Sequence, residues 1–155
     1  MTPLLKKLNF KSQEQLLVLN SPESFFGDLQ EMKSVTSVLT DLAEIQGIEF
    51  LIAFVTTKKE IENLVRSIDG KLIGDVIFWI SYPKASSKKY SCDFNRDSGF
   101  EILGEFGFEG VRQVAIDEDW SALRFRKVNY IKNITRKESF ALTKEAKERT
   151  SQKGN

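Results

Sequence analysis

Short apolar runs, separated by polar or helix-like segments, organise most of this chain. Four such runs lie within its first 81 residues, at 15–19, 35–39, 48–55 and 74–81. They are rich in Val, Ile, Leu and Phe, and turn-forming residues such as Asn20 and Gly47 flank them. Runs of this length and composition favour β-strands over helices. The pattern therefore predicts four strands.

Segments with helical periodicity lie before, between and after these strands. Helices are predicted over residues 3–9, 22–32, 58–68 and 93–106. The clearest is 58–68, in which Ile61, Leu64 and Val65 fall on one face. Thr56 or Thr57 is its predicted N-cap, and Asp69-Gly70 ends it.

The predicted helix over 22–32 has a start signal of its own. Ser21 is the predicted N-cap and Pro22 takes the first helical position. We expect this helix to bury Phe25, Phe26 and Leu29.

The pattern changes after residue 110. Residues 111–116 alternate apolar and polar positions, Asp117-Glu118-Asp119 forms a tight turn, and residues 120–128 alternate again. Two strands joined in this way form an antiparallel hairpin. Because the earlier strands alternate with helices, they form a parallel sheet that is covered on both faces. The expected fold is α/β, three-layer and doubly wound, with a mostly parallel six-stranded sheet that closes in an antiparallel C-terminal hairpin.

Charge divides the chain into two parts, although its net charge is only +1. Residues 121–155 carry 10 Lys and Arg against 3 Asp and Glu, and the rest of the chain carries 13 against 19. We therefore predict one α/β domain over 1–128 and a basic, polar tail over 129–155 that is partly helical or disordered.

The composition excludes several chemistries. The chain contains no histidine and a single cysteine, Cys92. It therefore has no Ser-His or Cys-His dyad, no intramolecular disulfide and too few ligands for a zinc site. The N-terminus has no long apolar stretch of a signal peptide, and the run Val76–Ile80 is too short to span a bilayer. We expect a cytoplasmic protein with no membrane partner.

Several motifs together resemble a bacterial family of small domains of unknown function. The more specific are Trp-x-x-x-Pro-Lys at 79–84 and Asp-x-x-Trp-Ser at 117–121, and the segments 15–23 and 50–54 are also similar. The family is related to the fold of S-adenosylmethionine-dependent methyltransferases. The resemblance implies the strand order 2-1-3-4-6-5 with strand 6 antiparallel. It also implies that one strand and one helix of the full fold are missing between Leu39 and Gly47.

The chain departs from a working methyltransferase at the turn after the first strand. Such enzymes have a glycine-rich turn there, which lets the backbone approach the cofactor. This chain has Asn20-Ser21-Pro22 and no glycine before Gly27. S-adenosylmethionine is the cofactor that the resemblance implies, but the sequence does not predict that it binds in the usual manner.

In an open α/β sheet, ligands bind beyond the carboxyl ends of the strands, at the point where the strand order reverses. Asp41 follows Asn20 at roughly the distance of an acidic ribose ligand, but capping of local turns explains Asp41 and Ser21 at least as well. The candidate cofactor-binding residues at this edge are Asn20, Ser21, Asp41, Thr56, Tyr82 and Lys84.

Other features have a functional and a plainer interpretation. Lys84 with Ser86-Ser87-Lys88-Lys89 has the chemistry to hold an anion, and Asp117–Asp119 that to hold a cation, but an exposed loop and a charged turn explain them more simply. Cys92 is expected to be an ordinary thiol, and Trp79 and Trp120 are expected to pack in or around the core.

Three functions remain open. The favoured one is a non-catalytic module that binds a small molecule or a protein on a degenerate methyltransferase-like scaffold. The alternative is a methyltransferase with an atypical cofactor loop, since methyl transfer depends mainly on proximity and orientation. The third is a nucleic-acid accessory protein that uses the basic tail, which is the least favoured partner class. A second copy of the chain is a further candidate partner.

Overall fold

A computed structural model describes residues 2–95 and 98–131. Its strands are β1 (Gln15–Leu19), β2 (Ser37–Leu39), β3 (Ile48–Phe54), β4 (Leu72–Pro83), β5 (Phe108–Ala115) and β6 (Trp120–Lys127). Its helices are α1 (Pro3–Lys7), α2 (Phe26–Lys33), α3 (Lys58–Ile68) and α4 (Glu101–Glu105). The six strands form one sheet in the order β2-β1-β3-β4-β6-β5, which confirms the predicted order.

The directions of the strands are also as predicted. β1 pairs in parallel with β2 and β3, and β3 pairs in parallel with β4. β6 is antiparallel to β4 and to β5, and this closes the sheet in the C-terminal hairpin. β3 and the second half of β4 are almost entirely buried, because both of their faces are covered.

Two apolar layers lie on the two faces of the sheet. On the α1 face, α1 and α2 cover a cluster that includes Phe50, Trp79 and Trp120. On the α3 face, α3 and α4 cover a cluster that includes Phe78 and Phe125. Each face is apolar because alternate residues of a strand point to opposite sides. Both tryptophans are buried, as the sequence predicted.

The start of α3 confirms the strongest helix signal. The Thr57 hydroxyl accepts a hydrogen bond from the Glu60 amide at 3.1 Å, and the Glu60 carboxylate accepts one from the Thr57 amide at 3.0 Å. This capping box satisfies two amide groups that a helix otherwise leaves without partners. It also fixes the chain direction immediately after β3.

The start of α2 differs from the prediction. Ser21 does not cap the helix; Pro22 is extended, a 3-10 turn covers Glu23–Phe25, and the α-helix begins at Phe26. The tighter turn changes which side chains face the sheet. Phe25 and Leu29 are buried as expected, but 63% of Phe26 is exposed.

The predicted helix over 93–106 is also wrong in extent, since only Glu101–Glu105 is α-helical. Gly99 has a φ of +127°, which is incompatible with a continuous helix. The apolar residues Phe94, Phe100, Ile102 and Leu103 are buried nonetheless. Phe94 and Phe100 pack on the core from irregular backbone, just before the short helix α4. Together with Ile102 and Leu103 they give a spacing that imitates a longer helix.

The connection between β2 and β3 is short. Between Thr40 and Gly47 it holds only a 3-10 turn over Leu42–Glu44, in agreement with the missing strand and helix. At the other end of the chain, Val128 and Ile131 pack against Val111. The helical stretch predicted within the basic tail lies outside the described residues. Within the described part of the chain, no helix is long and apolar enough to cross a membrane.

Candidate functional site

A cavity of about 760 Å³ lies beyond the carboxyl end of β4. Tyr82 and Pro83, the last residues of β4, form its base, and the loop from Lys84 to Asn95 forms much of its wall. Gln113 of β5 and Ser121 of β6 complete the lining. We call this space the β4 cavity.

The loop is fastened to the turn between β5 and β6. The Lys84 amide donates to the Asp119 carbonyl at 2.8 Å, and the Ser87 hydroxyl donates to the Asp119 carboxylate at 2.8 Å. The Tyr90 amide donates in turn to the Ser87 hydroxyl at 3.1 Å. These bonds hold the first half of the loop against a rigid hairpin, so the cavity wall is built into the fold.

The second half of the loop is fastened to α3. The Asp93 carboxylate accepts from the Lys58 amide at 2.7 Å, and the Asp93 amide donates to the Thr56 carbonyl at 3.3 Å. Between these anchors, the Cys92 thiol donates to the Phe94 carbonyl at 3.0 Å. Cys92 is half-buried and lines the β4 cavity.

Aromatic rings support the base of the β4 cavity. The Tyr82 ring packs against Phe94 and Phe100, with ring centroids 5.9 and 5.6 Å apart. Its hydroxyl accepts a hydrogen bond from the Gln113 side chain at 2.9 Å. The cavity therefore has an apolar, rigid base and a polar rim of hydroxyl, amide and amine groups. This combination is typical of small-molecule sites.

A smaller groove of about 280 Å³ lies beyond the carboxyl ends of β1 and β3, where the strand order reverses. We call it the β1 groove. Leu19, Leu42 and Leu64 contribute apolar lining, and Asn20 and Ser67 contribute polar groups. Asn20 has a φ of +57°, the left-handed conformation that asparagine tolerates better than most residues.

The structure divides the predicted site residues among separate places. Tyr82 and Lys84 line the β4 cavity, and Asn20 lines the β1 groove. The Asp41 carboxylate accepts from the Ala43 amide at 2.9 Å and so caps the 3-10 turn that follows β2. The Thr56 hydroxyl donates to Glu60 at 3.0 Å. Ser21 and these two residues line neither cavity, so the six residues do not form one site.

Glu60 is the acidic group at this edge with the most local hydrogen bonds. Burial raises its pKa, but hydrogen bonds from the amides and hydroxyls of Thr56 and Thr57 outweigh burial and hold the pKa below its ordinary value. These donors favour the ionised carboxylate. Glu60 therefore serves the start of α3 as an anion.

We expect acid to weaken this cap. Because the pKa of Glu60 is lower in the folded state, its contribution to stability is present above the ordinary glutamate pKa of about 4.3 and is lost as the pH falls through the folded value. Glu60→Gln keeps an acceptor for the capping box but does not titrate. The stability difference between wild type and Glu60→Gln should be constant from pH 7 to 5, at most about 1 kcal/mol after solvent screening, and should shrink below pH 4. Urea unfolding at each pH measures it, and a difference that grows in acid would contradict the assignment.

The acidic residues 117–119 form a turn, as the simpler interpretation held. The Asp117 carboxylate accepts from the amides of Asp119 and Trp120 at 2.8 and 2.9 Å. Asp119 is the anchor of the loop described above. Within the residues that the structure describes, no group of three or more acidic or cysteine side chains is placed to hold a metal ion.

Sequence reasoning missed most of the β4 cavity. Tyr90, Asn95, Gln113 and Ser121 line it, and none of them was a candidate. Gln113 and Ser121 are brought to the cavity only by the pairing of β5 with β6 and of β6 with β4. A local motif does not encode such pairings. The one available signal was the Ser-rich segment after Lys84, which resembles an ordinary exposed loop.

No protein-family model and no curated protein sequence matches this chain. Solved structures do resemble it. A Sulfolobus solfataricus protein assigned to the type 11 methyltransferases aligns with a TM-score of 0.49 and 10% identity, covering 81% of this chain and 89% of that one. A Streptococcus agalactiae protein of the NADB-Rossmann superfamily aligns with a TM-score of 0.45 and 12% identity, covering 82% and 68%. A chain of a fibrillarin/Nop5p complex aligns with a TM-score of 0.47 and 13% identity, covering 80% and 78%.

The topology of the sheet defines the fold class. The strand order reverses between β1 and β3, and β6 is inserted antiparallel between β4 and β5. A doubly wound sheet that ends in this way is the methyltransferase-like variant of the Rossmann fold. The short connection from β2 to β3 makes it a reduced version of that fold.

S-adenosylmethionine is the cofactor that this fold implies, and the edge beside β1 does not fit it. Phe25 is buried directly after the turn, with its ring centroid 4.9 Å from that of Phe54. Pro22 has no amide hydrogen to offer. The Asp41 carboxylate is committed to its own turn. The β1 groove is also below the range of about 300–1,000 Å³ that is usual for small-molecule pockets.

Proposed function

We propose that this protein is a non-catalytic binding module for a small molecule, which it takes into the β4 cavity. One observation carries the proposal: the cavity lies inside the usual size range for such sites, and β4, β5, β6 and an anchored loop wall it. The fold keeps the general rule that ligands bind beyond the carboxyl ends of the strands. The site has moved along that edge, from β1 to β4.

The lining indicates the chemistry of the ligand. Tyr82 and Phe94 offer apolar ring surface at the base. Lys84 offers a positive charge, and Ser86 and Ser91 offer hydroxyl groups. Such a set suits a small molecule with a flat or apolar part and a carboxylate or phosphate group. Bases for proton transfer are poorly supplied here, because the chain has no histidine. This supports binding without catalysis.

Cys92 provides a direct test, because it is the only thiol in the chain and it lines the β4 cavity. A ligand in the cavity should slow its modification by a thiol reagent. We expect at least one member of a panel of carboxylates, phosphate esters and nucleosides to slow the labelling of Cys92 by about tenfold or more at saturation. Modification is followed by absorbance and located by mass spectrometry.

A second thiol variant distinguishes the two cavities. Ser67 lines the β1 groove and is exposed, so Ser67→Cys in a Cys92→Ser background places the only thiol there. The panel member that protects Cys92 should leave this thiol unprotected. If S-adenosylmethionine or its demethylated product protects the thiol at position 67 and no panel member protects Cys92, the chain is a methyltransferase-like binder of that cofactor and the proposal is wrong.

A further inference from the structure

The α1 face of the C-terminal hairpin carries a group of arginines that line neither cavity. Arg112 of β5 and Arg124 of β6 are direct cross-strand partners, and Arg126 lies two residues further along β6. Directly opposed side chains in antiparallel strands lie about 5 Å apart at Cβ, and like charges in this position repel each other. A pair of opposed arginines is therefore unfavourable by itself, and an anion between them would relieve the repulsion.

Asp75 is an acidic residue that pairs with this group, and its partner is Arg126. The Asp75 carboxylate receives two hydrogen bonds from it, from Nε at 3.1 Å and from a terminal nitrogen at 2.5 Å. Glu109 is buried and faces Arg126 in the strand ladder. Asp75 is thus bound in a bidentate pair on the side of Arg126 that is remote from Arg112. The pKa of Arg126 is raised, first by this hydrogen bond.

Arg124 and Arg112 have no comparable partner. In the described part of the chain, Arg124 makes one long hydrogen bond, to the Asn9 side chain at 3.3 Å, and its Nε atom is buried without a partner. Burial lowers the pKa of Arg124, the charges of Arg126 and Arg112 lower it further, and the charge of Asp75 raises it in part. Arg112 is exposed, and no carboxylate of the described residues lies within ion-pair distance of it. The two guanidinium groups therefore belong to directly paired residues and have N–H donors that no described residue accepts from.

We propose that Arg112 and Arg124 form an oxyanion site that takes a phosphate group. A guanidinium group binds the oxygens of phosphate in a bidentate manner, and two of them on neighbouring strands surround one phosphate. The anion would neutralise the opposed pair and supply an acceptor for the buried Nε of Arg124. Arg112 is exposed and would contact the phosphate on the solvent side of the site, and Arg124 is half-buried and would contact it from below. The site is separate from the β4 cavity, since neither Arg112 nor Arg124 lines that cavity and both lie on the α1 face of the hairpin.

Phosphate titration of three proteins tests this site. In wild type, at constant ionic strength, inorganic phosphate at tenfold its dissociation constant should raise the melting temperature by about 3–6 °C. Arg112→Gln should abolish the rise. Arg66→Gln is the matched control, because Arg66 is an exposed arginine of α3 on the other face of the sheet, and it should respond as wild type does. An equal rise in Arg112→Gln, or no rise in wild type beyond that given by chloride, overturns the proposal.

The charge-reversing variant Arg112→Glu tests the repulsion between the two arginines through the melting temperature without added ligand. Arg112→Glu places a carboxylate opposite Arg124, so the protein should melt a few degrees higher without phosphate and lose its response to phosphate. In spectra of ¹⁵N-labelled wild type, the Nε–H signal of Arg124 should shift on phosphate addition and exchange more slowly with solvent. A signal that does not move while the melting temperature rises places the phosphate elsewhere and overturns the site.

Two sources of phosphate are distinguished by the ligand used. A free phosphate monoester is represented by inorganic phosphate, and a phosphodiester backbone by a short single-stranded DNA. If the oligonucleotide gives an effect that Arg112→Gln removes, the site accepts a nucleic-acid backbone. If only inorganic phosphate does so, the site is specific for a terminal phosphate group. Both results support the site, and they separate a polymer partner from a small one.

Discussion

Replacement of Trp79 by phenylalanine is expected to lower the free energy of unfolding by about 2–4 kcal/mol, much more than the same replacement of Trp120. Both side chains are buried on the α1 face of the sheet, with 0% and 3% of their surface exposed. The same atoms are removed in each case. The two substitutions differ in what happens to hydrogen bonding.

Trp79 joins β4 to the N-terminal helix. Its indole Nε1 donates to the Leu8 carbonyl at 2.9 Å, in a buried position. Phenylalanine leaves that carbonyl without this donor, at a cost of about 1–3 kcal/mol, and it leaves a cavity in addition. The loss is expected to fall mainly on the attachment of α1. Faster hydrogen exchange of the Leu8 and Asn9 amides would report it.

Trp120, unlike Trp79, has an indole N–H without a hydrogen-bond partner among the described residues. Its indole Nε1 is buried, and none of the described residues accepts a hydrogen bond from it. Phenylalanine removes a donor that already lacks a partner, and this offsets part of the packing loss against Phe54 and Tyr90. We expect Trp120→Phe to lower the free energy of unfolding by about 0–2 kcal/mol.

Urea unfolding of the two variants measures the difference directly. Each variant keeps one tryptophan, so fluorescence reports unfolding in both, and circular dichroism provides a probe that does not depend on either residue. Equal losses would show that packing alone determines the stability of these sites, and would contradict the hydrogen-bond assignment.

The sequence predicts the sheet more completely than the loops, for a physical reason. A buried strand such as β3 is an unbroken apolar run from Phe50 to Phe54, and α3 has its own start and stop signals in Thr57 and Gly70. These signals are local, so reading them in order gives the elements. The resemblance then supplied the order of the strands in the sheet.

The loop of the β4 cavity shows where this reasoning fails. Phe94 and Phe100 have helix-like spacing, but both point into the core from irregular backbone. Its ordering depends on Asp119 and Lys58, which lie far away in the sequence. A candidate site was sought beside β1, because that is where the fold usually binds its ligand. The residues that line the β4 cavity come together only after β4, β5 and β6 are paired.

Gly99, which lies between this loop and α4, is a position at which a methyl group should be strongly destabilising. Its φ is +127°, and a Cβ atom there would lie 2.4 Å from the Cβ atom of Phe94. The Phe94 Cβ is fixed to the backbone and has no rotamer that moves it away. Strain in this backbone region and overpacking each cost about 1–3 kcal/mol, so Gly99→Ala should lower the free energy of unfolding by about 2–5 kcal/mol.

Gly70 provides the matched control. It also has a positive φ, of +82°, but nothing lies within 4 Å of a Cβ atom at that position. Gly70→Ala should therefore lower the free energy of unfolding only through its left-handed backbone conformation, by about 1–2 kcal/mol. Urea unfolding of the two variants separates the contact with Phe94 from the backbone conformation.

The same pair of variants connects the fold to the β4 cavity. Phe94 lines the cavity and packs on Tyr82 at its base, so a displaced Phe94 disturbs the ligand site as well as the core. The Cys92 thiol donates a hydrogen bond to the Phe94 carbonyl, and displacement of Phe94 would weaken that bond. Gly99→Ala should therefore speed the modification of Cys92 by a thiol reagent. Gly70→Ala, at the end of α3, should leave the rate unchanged. If both variants label at the wild-type rate while Gly99→Ala is strongly destabilised, the cavity wall tolerates movement of Phe94, and the loop is less rigid than its hydrogen bonds to Asp119 and Lys58 indicate.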